Sequence, residues 1–348
     1  MLLLILYKLK IDITLLGHTT PIRSLVAFHN GSLVSGGFRE ILFWDTKSGR
    51  QIKKLAGHDA PTFSLAVLQD GSLAIGSFKE IFIWNTEKNQ LIKTLIGHTN
   101  EVTSMVSLKN GYFASCSGSD IFIWDIKNWK IIRMLKDKNI SSNKFLFYSL
   151  VVLNNGNLAS AGRHTKIQIW NTTTGDIKRI LYGHVQWVYS LAVLHDGNLA
   201  SGSYDKTIRI WNTNTGERLN TLIGHTSEIR SLAVTTEGSL ASIGLTYRAP
   251  QEILIWDTRT SQMIEKITGY TYSPPKLYAL EDGRLAYTSF NFTISIIYVT
   301  NYSNINNSTT KNTIKKLTTK TVDNIDLFLQ TLQQKQWKVG SLLFGRND

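Results

Sequence analysis

The chain has 348 residues, 42% of them hydrophobic, and 38 Lys and Arg against 25 Asp and Glu, for a formal net charge of +13. A single cysteine, Cys116, excludes an internal disulfide framework and reads as an inert thiol in a buried strand. The opening apolar run of six residues, Met1 to Leu6, is far short of the ~18 that a membrane-spanning helix needs, and it lacks the flanks of a signal peptide, so it reads as strand and predicts no membrane insertion and a cytoplasmic protein.

In chain order, Leu9 to Leu16 alternates apolar and polar residues like an outer strand, yet it has no sheet of its own before it. Gly17-His18 follows, and Gly-His recurs at His58, His98, His184 and His225. Trp followed by Asp or Asn recurs at Trp44, Trp84, Trp124, Trp170, Trp211 and Trp256, in steps of 40, 40, 46, 41 and 45 residues. The stretch Gly183 to Asn212 shows one unit in full. An alternating run over Val188 to Leu194 turns at Asp196-Gly197, a second run covers Leu199 to Ser203, a turn follows at Tyr204-Asp205-Lys206, and Ile208 to Trp211 alternates again. Such a unit cannot bury both faces alone and needs neighbours.

Three units depart from this pattern. The fourth lacks Gly-His and has a longer loop over Lys136 to Asn143. The sixth carries an insertion over Leu245 to Glu252. The seventh has Gly269-Tyr270 for Gly-His, turns at Glu281-Asp282-Gly283, and has Tyr298 in place of Trp, 42 residues after Trp256. In the first three units the second-to-third-strand turn is one residue shorter, which predicts a register or bulge change there. After Thr300 the composition becomes rich in Asn, Ser and Thr up to Asn312. Thr313 to Leu317 could compete as an outer strand, and Asp323 reads as an N-cap before a helix carrying Ile325, Phe328, Leu329 and Leu332 on one face.

Gly-His and Trp-Asp at fixed phase, from about residue 9 to residue 300, resemble the WD-repeat β-propeller family. The resemblance implies an all-β fold, a seven-bladed β-propeller of four-stranded antiparallel blades over 9–300, closed by the N-terminal strand. A polar linker and C-terminal amphipathic helix over 301–348 would follow. It also implies a structural hydrogen-bonded set within each blade, matched at all four positions in blade five by His184, Ser201, Asp205 and Trp211. Blade two has Ile75 in place of the serine. Arg39-Glu40 and Lys79-Glu80 fill the Asp turn of blades one and two, Asp120 is displaced in blade three, and blade four has His164 there. Those blades are expected to be held more by packing than by the polar set, with blade five the stiffest.

For function, the resemblance implies a non-catalytic scaffold that binds proteins or peptides on the face carrying the Gly-His loops. The positions that point outward there give Arg23, Phe63, Tyr148, Trp187, Tyr189 and Arg230, and the turns add Phe38, Phe78, Arg163 and Tyr204. Aromatic and Arg side chains of this kind dominate interface hot spots. The alternative is a substrate-receptor subunit of a ubiquitin ligase, suggested by Trp256-Asp257-Thr258-Arg259. No catalytic, metal or cofactor motif is present: His-Ser-Asp recurs around the array, as an active site would not, and His29, His164 and His195 share no spacing. The Lys and Arg residues are scattered through turns and outer strands, which argues against a nucleic-acid track.

Overall fold

The computed structural model describes residues 11–299 except 29, 56, 138–145, 246–250, 270–274 and 290–291. Among them, 28 strands form seven four-stranded antiparallel sheets, and there is no α-helix. Each of the first six sheets is a meander of consecutive strands; blade five, for example, runs Val188–Val193, Leu199–Ser203, Thr207–Trp211 and Arg218–Ile223. The seventh takes Leu277–Ala279, Arg284–Thr288 and Ile294–Tyr298, with Ile11–Leu15 as its outer strand. Thr14 faces Ser295 and Leu15 faces Ile294 in that pair. A buried guanidinium spans the same sheet: Arg284 Nη1 donates to Asp12 at 2.8 Å and Nη2 to Asp282 at 2.6 Å.

Period-2 alternation gives every blade two apolar faces, and each face meets the next blade. Val34, Ile41, Phe43 and Leu55 of blade one pack with Leu73, Ile75 and Trp84 of blade two. The same pattern brings Trp124, Trp170, Trp211 and Trp256 onto the blade before each, and Trp44 onto Leu280, Ala286 and Ile294 of blade seven. The tryptophans are therefore inter-blade wedges. The first strands of successive blades touch all round the ring, blade seven against blade one included, so they are innermost.

A belt of serines links these inner strands. The amide N–H of Leu65, Leu150, Leu191, Leu232 and Leu277 donates to Ser24, Ser104, Ser149, Ser190 and Ser231 of the preceding blade, at 3.0–3.1 Å. Ser64 instead donates to the Val102 carbonyl at 2.7 Å. At the matching register in blade seven stands Lys276, one residue before Leu277, so the step from blade seven to blade one has no serine.

The expected register change in the shorter hairpins is not where it was placed. Strands two and three pair without a shift in both the short and the long case, for example Ser35 with Leu42 and Ser201 with Arg209. The loop absorbs the extra residue, with Arg39 and Lys206 at positive φ, 62° and 67°. The shifts lie instead beside the Trp, between strands three and four, and near the start of strand one in blades three to six. Cys116 is fully buried, and burial pushes its thiol up to about 12. The proposed linker, the competing strand Thr313 to Leu317 and the helix after Asp323 lie outside the described residues, as do most of the blade-four loop and the blade-six insertion.

Candidate functional site

Two sets of side chains repeat at the Gly-His end of the blades, one buried and one lining the mouth. The buried set is complete in blade five. His184 Nδ1 donates to Asp205 Oδ2 at 2.7 Å, Ser201 Oγ lies 2.7 Å from His184 Nε2, and Trp211 Nε1 donates to Ser201 Oγ at 2.8 Å. These partners assign the imidazole tautomer, with Nδ1 protonated and Nε2 accepting from the serine hydroxyl. Asp205 also accepts from Thr207, at 3.0 Å from N–H and 2.6 Å from Oγ1. Burial pushes its carboxyl up, but the bonds from His184 and Thr207 outweigh this and hold it below the usual carboxylate range. The hydroxyl is thus committed to a ring nitrogen and an indole inside a sheet, with no access to a substrate.

Blade one corrects the expectation that it is held more by packing than by the polar set. His18 reaches Glu40 at 3.2 Å and Ser35 at 2.6 Å, and Trp44 donates to Ser35 at 2.7 Å. The longer glutamate replaces aspartate in the shorter turn. Blades three and six keep the His-Ser-Trp part, through Ser115 and Ser242, while Nδ1 of His98 and of His225 is buried with no partner among the described residues. In blade four, Trp170 donates to Ser160 at 2.8 Å. In blade two Ile75 leaves Trp84 Nε1 buried without a partner among the described residues, and His58 turns to Thr62 at 3.3 Å. Burial lowers the imidazoles of His58, His98, His164 and His225 to about 4.

The second set forms two clusters at the mouth. In the larger, Tyr148 stacks on Tyr189 with centroids 5.1 Å apart, and Trp187 lies 5.8 Å from Tyr204. Arg230 sits 3.9 Å over the ring of Tyr189, and Arg163 sits 4.6 Å over that of Trp187. Blades four, five and six each contribute. Tyr148, Trp187, Tyr189 and Arg230 are half-buried, while Arg163 and Tyr204 are exposed. Burial, with a smaller contribution from Tyr148, pushes the Tyr189 phenol up to about 12 against the opposing charge of Arg230. In the smaller cluster Arg23 lies 5.0 Å over Phe63, which meets Phe78 edge-on at 5.3 Å. Phe38 forms a bridge with Pro61 of blade two and carries Arg39 over its ring at 5.3 Å. The pairing of Arg163 with Trp187 and of Arg230 with Tyr189 crosses blades, and the sequence carried no signal for it beyond the residue types.

Residues 89–125 and 175–212 match the family model described as WD domain, G-beta repeat. The two matches fall on blades two to three and four to five; blades one and six repeat the same four-stranded meander and wedge Trp, and blade seven keeps a four-stranded antiparallel sheet with Tyr298 in the Trp position. The chain is a WD-repeat β-propeller. No curated protein matches it. WD-repeat propellers are generally protein-interaction scaffolds without catalytic activity, and they typically bind proteins or peptides. Among the described residues, this propeller has no group of three or more His, Cys, Asp or Glu that could hold a metal ion, and no helix long and apolar enough to cross a membrane.

Proposed function

We propose that this propeller is a non-catalytic, cytoplasmic scaffold that docks a partner protein or peptide on its Gly-His face. The mouth formed by Tyr148, Arg163, Trp187, Tyr189, Tyr204 and Arg230 is the main contact, with Arg23, Phe38, Phe63 and Phe78 extending it. One observation carries the reading: aromatic and guanidinium groups from three adjacent blades are contiguous there, without being consumed by the core. Pairing of Ile11–Leu15 with the last sheet supports the N-terminal strand as the clasp of the ring.

A Trp187→Ala/Tyr204→Ala double variant should keep the fold and lose captured partners, with hot-spot losses of about 2 kcal/mol or more per residue. Equal recovery by wild type and variant refutes the assignment. A second reading, the ligase substrate receptor, draws on Arg259, whose side chain is 91% exposed in the turn at the opposite face. A cullin adaptor that co-purifies with wild type and is lost with Arg259→Ala would support it.

A further inference from the structure

We propose that the mouth between blades four and seven takes a carboxylate-rich segment of the partner, held by the edges of Arg163 and Arg230. This rests on the docking face proposed above and adds the chemistry of the ligand.

The aromatic faces in the larger cluster are already in use. Tyr189 has Tyr148 stacked on it and Arg230 over its ring, and Trp187 carries Arg163. That leaves little bare π-surface for a nucleobase or an alkylammonium group to stack on. It leaves free what a stacked guanidinium still offers, its rim of N–H donors, in a fork that matches a carboxylate. Arg230 spends Nη2 on Glu228 at 3.2 Å, while its Nε is buried without a partner among the described residues. Among the described residues Arg163 and Lys276 have no carboxylate within salt-bridge distance.

The remaining charges at this end agree. Asp205 is tied up by His184 and Thr207, and Glu228 by Arg230. Glu101, on blade three, is the acid that faces the cluster from the other side, and it acts on Tyr148. Lys276 feels no compensating acid: burial, then the like charge of Arg230, holds its ammonium below its ordinary value. Two cations crowded at one opening favour an incoming anion. An extended acidic peptide fits a compact mouth with its rings occupied better than a nucleic-acid strand does, because a strand would need bases on open rings.

The test is selection from a displayed library of random dodecapeptides on the full chain, followed by fluorescence anisotropy of the enriched peptides. Enriched sequences should carry Asp and Glu. Arg163→Ala, at an exposed side chain, should weaken them about tenfold, and Arg163→Ala/Arg230→Ala by about 50-fold or more. Arg163→Lys should restore only part of the loss, and replacing the peptide carboxylates with Asn and Gln should abolish binding. Enrichment of neutral or basic sequences overturns the proposal, as does binding that Arg163→Ala leaves unweakened. So does an oligothymidylate, or a phosphopeptide whose unphosphorylated Asp/Glu form does not bind, taking the arginine-dependent site instead. If acidic peptides fail while the Trp187→Ala/Tyr204→Ala variant still loses captured partners, the docking face stands and only its anion preference falls.

Discussion

Ser201→Ala removes one oxygen that serves two buried groups. In the native blade the hydroxyl lies 2.7 Å from His184 Nε2 and accepts from Trp211 Nε1 at 2.8 Å, and Ser201 is fully buried. Alanine leaves the ring nitrogen and the indole N–H without a partner, each costing about 1–3 kcal/mol, so the blade should lose about 2–6 kcal/mol. Blade two shows that the ring can carry such a defect, because Ile75 already leaves Trp84 Nε1 without a partner among the described residues. There the fully buried Ile75 side chain offsets the loss with apolar area, which alanine cannot do. Urea unfolding followed by tryptophan fluorescence should show the drop, and amide exchange should place it mainly in Val188–Val193 and Leu199–Ser203. A loss below about 0.5 kcal/mol, or protection lowered equally in every blade, would refute the reasoning that the Ser201 hydroxyl ties blade five together.

Three other outcomes follow from the same structure. His58, His98, His164 and His225 titrate near 4 in the folded chain, against about 6.5 unfolded. Their contribution is therefore intact above about pH 6.5 and is lost as pH falls toward 4, because the unfolded chain takes up protons first. The urea midpoint at pH 5 should lie well below that at pH 7, and equal midpoints would contradict the burial. In the inner belt, Ser190→Ala deletes the acceptor of the Leu232 N–H and should cost about 1 kcal/mol, whereas Lys276→Ser supplies the missing hydroxyl and should raise the melting temperature by a few degrees; a lower melting temperature for Lys276→Ser speaks against the belt. Asp12→Asn weakens the hold of Arg284 on the N-terminal strand by about 1–2 kcal/mol, Asp282 keeping its own bond, and amide exchange over Ile11–Leu15 should quicken; unchanged exchange there argues against the clasp.

Most of the fold was legible because each blade is a local object. Turn glycines, alternation and the Gly-His and Trp-Asp spacing all act within about 40 residues, so the repeats and their count could be read directly, and the resemblance they carry implied the strand order and the blade-five hydrogen bonds. What lay beyond reach depended on side-chain length or on contacts between blades. Glu40 was discounted because it is not aspartate, yet its extra methylene compensates for a turn one residue shorter. Ser149, Ser190 and Ser231 recur visibly, but their partners sit 42 to 46 residues later, in the next blade. The residue types at the mouth could be named in advance; that arginines would cap the rings of their neighbours could not, since it depends on the angle between blades.

The most direct measurement compares the two ends of one blade. A photo-crosslinking amino acid placed at Tyr204, in the turn on the Gly-His face, and separately at Asp196, in the turn at the opposite end, samples both surfaces on the same folded chain. Discrete adducts with other proteins from the Tyr204 position, suppressed by Arg163→Ala, and none from Asp196, are the predicted result. Adducts from Asp196 alone, or the same adducts from both positions, would contradict it.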